Sequence, residues 1–365
     1  MKLLFFIGSM RGGGAERVMA VLTEELAKRG HDITLVVMSS SPSFYKLNED
    51  IKLIQFEDRV NHSLFEKIKY KLKSHLFIRR KITKLNPDVV ISFILSLNVI
   101  VLISSLFLKT PTIVSEHSTF DIKYSLKKRF KRFYLNKLAD RVTVLTFHDY
   151  NFIGTRLKNK IVMPNPLSFV PLAKYNEDRK KNIIAAGSID RFHGKGFDSL
   201  IKIWGKIANK YPEWKLLIAG GGNDENIRKL RELANEYNVN SQFELLGQVK
   251  DLDKKLRESS IFVLSSRYEG FSMVLLEAMS QGCACISFDC TAGPREIINN
   301  NVDGILVEDQ NIDDMTLALS DLIENEDKRG KLAIEGIKSV NRFSVKNIVD
   351  KWEIIFNEVV GKKNR

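Results

Sequence analysis

Residues 261–289 read IFVLSSRYEGFSMVLLEAMSQGCACISFD. The first five form a short apolar run, 272–281 have helical spacing, and 285–289 form a second apolar run. Buried parallel strands read as continuous apolar runs, so a helix between two of them marks a crossover that returns the chain parallel to itself. Outward from this unit the rhythm repeats. Strand-like runs at 183–187, 215–219, 243–246 and 304–307 alternate with helical patterns at 199–210, 225–237 and 293–299. An earlier series of runs lies at 3–8, 33–39, 51–56, 88–93, 112–117 and 142–146, with helical stretches such as 15–29 between them. This alternation implies an α/β chain of parallel sheets covered by helices on both faces, with ligands beyond the carboxyl ends of the strands. The two series part at Pro164-Asn165-Pro166, where the prolines disfavour helix and stiffen the connection. The expected domains are therefore 1–165 and 166–345. The segment 346–365, which holds most of the helical stretch 345–360, could pack on either domain and is assigned to the first.

At 365 residues, 44% hydrophobic and 28% charged, the chain supports two full cores. The apolar run at its start leads into glycines rather than a cleavage site, which points to a cytoplasmic protein. The three cysteines, Cys283, Cys285 and Cys290, are clustered without a partner elsewhere, which excludes a disulfide framework. They lack the spacing of a zinc site and read as small core residues. Residues 89–108 carry no charge and have the length of a membrane span, but they divide into a β-branched run to 93 and a shorter helix from 97.

The net charge of +13 sits in one half. Residues 1–165 hold 28 Lys and Arg against 14 Asp and Glu, whereas the remainder holds 29 against 30. Two stretches, 67–84 (KIKYKLKSHLFIRRKITK) and 123–137 (KYSLKKRFKRFYLNK), interleave basic with apolar and aromatic residues. Leu126, Phe130, Phe133 and Leu138 can share a helical face there, leaving Lys127, Lys128, Arg129, Lys131 and Arg132 around it. Such a surface suits an anionic membrane, at about 1 kcal/mol per basic residue near it. No nucleic-acid recognition motif accompanies the charge, so no nucleic-acid partner is expected.

Candidate chemistry lies at strand ends. The first strand ends at Gly8, and Gly12, Gly13 and Gly14 open the next helix, where tight backbone and helix amides suit a phosphate. The spacing is not that of a dinucleotide fingerprint. In the second half a strand ends at Gly187, followed by SIDRFHGKG (188–196), whose Arg191 and Lys195 bring two cations to a site for a diphosphate. After strand 261–265, Glu269 lies in a loop and Glu277 eight residues on, inside a helix. The first carboxylate can accept from sugar hydroxyls and the second from a ribose diol, while the amides of Phe271 and Ser272 can face phosphate oxygens. Asp251-Leu252-Asp253 starts a helical pattern and reads as an N-terminal cap rather than a metal site.

Glu269-Gly270-Phe271 with Glu277-Ala278-Met279-Ser280-Gln281-Gly282 resembles the donor-site signature of the family 4 glycosyltransferases of the GT-B fold. The likeness extends to Gly12–Arg17, Ser115-Glu116-His117-Ser118, Asn165-Pro166, Lys195-Gly196-Phe197-Asp198, Ala219-Gly220-Gly221-Gly222 and 289–298. It implies two Rossmann-like domains facing each other across a cleft. It also implies transfer of a hexose or N-acetylhexosamine, with retention, from a nucleoside-diphosphate sugar, UDP-linked by family frequency. No cofactor and no metal is implied. By the same likeness Glu269 contacts the donor sugar, Glu277 holds the ribose, Lys195 meets the diphosphate, and His117 reaches the transferred sugar. The family usually has Arg directly after the strand-ending glycine, where this chain has Ser188; Arg191 is the conjectured substitute. The acceptor implied is a lipid-linked saccharide at the inner face of a bacterial plasma membrane. A silent GT-B scaffold binding glycan or membrane, and a basic nucleic-acid-binding protein, are the rival readings.

Overall fold

A computed structural model of the chain describes residues 1–56, 63–121, 130 and 132–363. The chain forms two compact units, Met1–Ser168 with Phe343–Arg365, and Phe169–Arg342.

The first unit is built on a parallel sheet of seven strands in the order β3-β2-β1-β4-β5-β6-β7. These are β1 Lys2–Ile7, β2 Asp32–Val37, β3 Lys52–Gln55, β4 Val89–Phe93, β5 Thr112–Ser115, β6 Arg141–Val144 and β7 Lys160–Val162. Central β1 pairs Leu3 with Ile33 on one side and with Val89 on the other. The order reverses between β1 and β4, and at such a switch point the loops beyond the strand ends diverge and leave a crevice. Helices α1 Gly14–Lys28, α2 Leu64–Leu85, α3 Leu95–Ser105 and α4 Phe147–Ile153 complete this part of the chain. Residues 89–108 are therefore a strand and a helix, and among the described residues no helix is long and apolar enough to cross a membrane.

The second unit has six parallel strands in the order β10-β9-β8-β11-β13-β15. They are β8 Lys180–Ala186, β9 Lys215–Ala219, β10 Phe243–Gly247, β11 Ser259–Leu264, β13 Ala284–Phe288 and β15 Ile305–Val307, with a two-stranded ladder of β12 Tyr268–Glu269 and β14 Thr291–Ala292 beside them. Its helices are α5 Phe197–Ile207, α6 Asp224–Glu236, α7 Leu252–Glu258, α8 Met273–Ser280, α9 Pro294–Ile297, α10 Ile312–Glu324 and α11 Glu326–Ser339. Here the order reverses between β8 and β11. The core joins Ile183, Ile261 and Ile286 of the sheet to Trp204 and Leu319 of α5 and α10. Asp251 stands at the N-cap position of α7, but its side chain makes no capping hydrogen bond, and Asp253 pairs with Arg257 instead. The capping role expected of this pair is thus positional only.

The last helix, α12 Val345–Lys363, belongs to the first unit. Ile348, Val349, Trp352, Ile355, Phe356 and Val359 are buried along one stripe at helical spacing. Trp352 stacks on Phe93 at 6.3 Å, at the carboxyl end of β4. At its rim Arg29 Nη1 reaches Asp350 at 2.6 Å and Glu353 at 2.8 Å, and Arg141 reaches Glu358 at 3.0 Å. Trp352→Ala would leave a cavity against Phe93, and the expected loss is about 3–5 kcal/mol of first-unit stability. Chemical denaturation followed by far-ultraviolet circular dichroism checks this; an unchanged midpoint refutes it.

Candidate donor site and the turn that carries His117

The switch point of the second sheet brings two loops together, one after β8 and one after β11. Lys195 Nζ donates to Glu269 Oε1 at 2.7 Å, and the Ser266 hydroxyl donates to the same oxygen at 2.7 Å. Both ion-pair partners are largely shielded, with side-chain exposures of 18% and 11%. The backbones are as close as the side chains. Gly196 has φ +67°, and a Cβ there would lie 1.8 Å from the Ser265 carbonyl oxygen. Only glycine permits both that angle and that approach. The Ser265 hydroxyl returns a hydrogen bond to the Lys195 carbonyl at 3.0 Å.

A second seam, sixty-nine residues long in sequence, locks these loops. Arg267 holds Asp198 bidentately, Nη1 to Oδ1 at 2.7 Å and Nη2 to Oδ2 at 2.9 Å, and its amide donates to the Gly194 carbonyl at 3.0 Å. Burial alone would raise the Asp198 pKa, but the hydrogen bonds and charge of Arg267, with the Ser199 amide, outweigh it and hold the carboxyl below its ordinary range. The Glu269 strand is braced from behind by β14, where Tyr268 pairs with Thr291 and Glu269 with Ala292.

At the start of α8 the Ser272 hydroxyl is buried and has no hydrogen-bond partner among the described residues. A buried hydroxyl left unmade costs free energy, and at a helix N-terminus an anionic oxygen would satisfy it. Phe271 is buried beside it and Gly270 half-buried. Glu277 is buried at 3% exposure in the second turn of α8. Gly187 ends the strand with its backbone against the Lys195 stem, so that a Cβ would meet Lys195 carbons at 3.2 Å. Arg191 is different. It ends a one-turn helix, is exposed, and among the described residues has no side-chain partner, so it is not part of the Lys195–Glu269 cluster. The preceding Asp190 instead pins the loop, accepting from the amide and side chain of Asn223 at 2.8 Å each.

In the first unit the glycine loop after β1 already holds an anion of its own. Glu16 Oε2 accepts from the amides of Gly12 at 2.6 Å and Gly13 at 2.8 Å, and Oε1 accepts from the Ser9 hydroxyl. A phosphate at Gly13 would have to displace this carboxylate; Gly14 starts α1 and is exposed.

His117 follows β5. Its Nε2 lies 3.1 Å from Ser115 Oγ, which accepts from Thr143 Oγ1 at 2.8 Å, and its ring packs on Phe93 at 4.4 Å. Nε2 and the Ser115 hydroxyl share one hydrogen bond, whose direction follows the tautomer of the neutral ring. The residue is half-buried, and desolvation by the surrounding atoms pushes its pKa down to about 3. The turn is held by a buried ion pair, Arg132 Nε to Glu116 at 2.9 Å, with side-chain exposures of 2% and 1%. Arg132 also donates to the Thr119 carbonyl at 2.7 Å and the Ser118 carbonyl, and Asn136 completes Glu116 at 2.9 Å. Arg132 is therefore a core residue and corrects its expected place in a membrane-facing patch. Lys127, Lys128, Arg129, Lys131 and Leu126 lie outside the described residues.

Both units resemble known proteins. The model of "Glycosyltransferase Family 4" matches residues 12–162, and that of "Glycosyl transferases group 1" matches 172–339. The amylovoran biosynthesis glycosyltransferase AmsD of Erwinia amylovora is 30% identical, over 98% of this chain and 99% of its own. The chain belongs to the family 4 glycosyltransferases of the GT-B fold. A Campylobacter jejuni α-1,4-N-acetyl-D-galactosaminyltransferase, named for a diNAcBac-PP-undecaprenol-linked acceptor, is 27% identical over 98% of this chain and 99% of its own. Among solved structures, sucrose-phosphate synthase from Thermosynechococcus elongatus aligns with a TM-score of 0.83 at 16% identity, covering 99% of this chain and 100% of that one. Anabaena HepE in complex with UDP and glucose gives 0.83 at 16%, covering 98% and 99%.

In this glycosyltransferase the residues missed by sequence reading are the supports: Ser266, Arg267, Asp198, Glu116 and Arg132. Arg267 stands two residues before Glu269 and Asp198 three after Lys195, which was the one available signal. The three cysteines are buried free thiols, and burial raises all of their pKa values, so none is a ready thiolate.

Two expectations follow for the glycosyltransferase. Arg132→Ala leaves Glu116 charged and buried, and should cost about 3–5 kcal/mol in denaturant unfolding, whereas an unchanged midpoint would place Arg132 on the surface. The lowered pKa of His117 means that the unfolded chain takes up a proton there below its ordinary value of 6.5 while the folded chain does not until about 3. First-unit stability should therefore fall as pH drops through that window, and His117→Asn should flatten the fall; parallel melting profiles for the two proteins would contradict it.

Proposed function

We propose that this glycosyltransferase transfers a hexose or N-acetylhexosamine, with retention and without a metal, from a UDP-sugar to a saccharide carried on a membrane-embedded lipid. The setting proposed is bacterial surface polysaccharide or glycan assembly, with the protein peripheral on the cytoplasmic face of the plasma membrane. The observation that carries the reading is the Lys195–Glu269 pair, shielded and stitched between two loops at a strand switch point, with the orphan Ser272 hydroxyl at the helix start nearby. Support for the donor comes from HepE, solved in complex with UDP and glucose, and for the acceptor from the Campylobacter enzyme, named for an undecaprenol-linked saccharide.

In this reading the diphosphate meets Lys195 and the α8 N-terminus. Lys195 then exchanges Glu269 for phosphate oxygens, and the released carboxylate accepts from sugar hydroxyls. The bond between the anomeric carbon and the diphosphate oxygen breaks as the acceptor oxygen bonds to the same face of that carbon. The acceptor proton passes to the departing diphosphate. Positive potential fixed where the negative charge develops lowers the barrier. Glu277, buried on α8, binds the ribose. His117, neutral at physiological pH, serves the sugar as a hydrogen-bonding group rather than as a cation. Arg191, which is exposed, is proposed to swing to the diphosphate in place of the arginine absent at Ser188.

A thermal-shift screen of nucleotide sugars identifies the donor, because a ligand that binds only the folded state raises the melting temperature. Lys195→Ala should weaken binding of that donor about tenfold to a hundredfold by calorimetry, the loss of a charge-assisted contact. Glu269→Ala should abolish transfer while UDP still binds. UDP and sugar-nucleotide affinities untouched by Lys195→Ala would end this reading.

A further inference from the structure

The first unit carries an apolar face that its own fold leaves uncovered. Helix α2 buries Ser74, Ile78 and Ile82 against the sheet. Away from that side, Ile68, Leu72 and Leu76 recur every four residues, so they form one stripe, and each is more than half exposed. The stripe continues onto the next element. His75 Nδ1 lies 2.9 Å from Ser104 Oγ, and Arg79 Nη1 donates to the carbonyls of Ser104 at 3.1 Å and Leu106 at 2.8 Å. This seam fastens the end of α3 beside the stripe. Just there Ile103 is exposed, and Phe107 stands 98% exposed at a φ of 65°, a conformation that bulky residues rarely adopt. An aromatic ring held out in water on a strained turn gains nothing from the fold itself, and its gain must come from an occupant.

Charge decides which occupant. Residues 64–85 hold eight Lys and Arg against a single acid, Glu66, and Lys67, Lys71 and Arg80 are exposed on both flanks of the stripe. A second copy of this chain would bring two such helices face to face and repel. We infer that the face formed by Ile68, Leu72, Leu76, Ile103 and Phe107 docks on an anionic lipid bilayer, the apolar side chains entering the upper acyl region and the flanking cations meeting the headgroups. The inference rests on the membrane-linked acceptor proposed above and gives it a surface. It is separate in sequence from the 123–137 stretch, of which Arg132 is buried and 123–129 and 131 lie outside the described residues. Docking here keeps the protein peripheral, since none of the described helices spans a membrane.

The test is co-sedimentation of the full chain with vesicles of phosphatidylcholine, alone or with phosphatidylglycerol. Wild type should bind only the mixed vesicles. The variant L72S/L76S/F107S should bind them at least about tenfold more weakly, with its melting temperature and donor affinity unchanged. A tryptophan placed by Phe107→Trp should shift its emission to the blue on mixed vesicles. The inference is overturned if the triple variant binds vesicles as wild type does, or if light scattering finds a wild-type dimer that these substitutions split. Loss of donor binding in the wild type, with vesicle binding intact, would sink the donor reading and leave this one standing.

Discussion

The ion pair between Lys195 and Glu269 is the contact that ties together the two loops at the switch point of the second sheet. Each charge neutralises the other away from bulk water, where an unpaired charge would be costly. The pair therefore keeps the crevice assembled before any ligand arrives. It also sets a selection rule. A ligand that separates the two must offer the lysine an anion and the carboxylate a set of hydroxyl donors at once. Glu269 is held on one oxygen by Lys195 and Ser266, and its strand by β14 behind it. Preorganisation of this kind spares the protein reorganisation at the moment of reaction.

The first unit solves a related problem with different parts. His117 is kept neutral by desolvation and sits against Ser115 and Phe93, while Glu116 next to it turns inward to Arg132. Phe93 lies between Trp352 and His117, so an aromatic row runs from the last helix of the chain to the histidine. Glu16 meanwhile closes the glycine loop on itself.

Most of the architecture was legible because parallel sheets leave a strong imprint: nearly every buried strand is a continuous apolar run, and predicted and observed limits agree within a few residues. β7 escaped notice because its three residues are only partly buried and carry no such run. The site was legible where chemistry is local, as in Glu269 and Glu277 on one loop and helix. It was hidden where it depends on distant partners. Nothing near Arg132 distinguishes it from the basic residues around it, since its partner Glu116 is sixteen residues back. Nothing in Gly12–Gly14 shows that Glu16 folds back onto their amides. The exposed stripe on α2 was visible only as composition, because periodicity alone does not tell a core face from an uncovered one.

The first unit is closed by residues from both ends of the chain, with the whole second unit inserted between Ser168 and Phe343. During synthesis on the ribosome, the segment bearing Trp352 emerges after the whole second unit. The inserted unit is complete beforehand and is free to fold as a block, whereas Phe93 stays without its covering ring until that segment follows. A ribosome that stalls before Trp352 would thus leave an intact second unit joined to an unfinished first one, an apolar-cored species of the kind that chaperones and proteases remove.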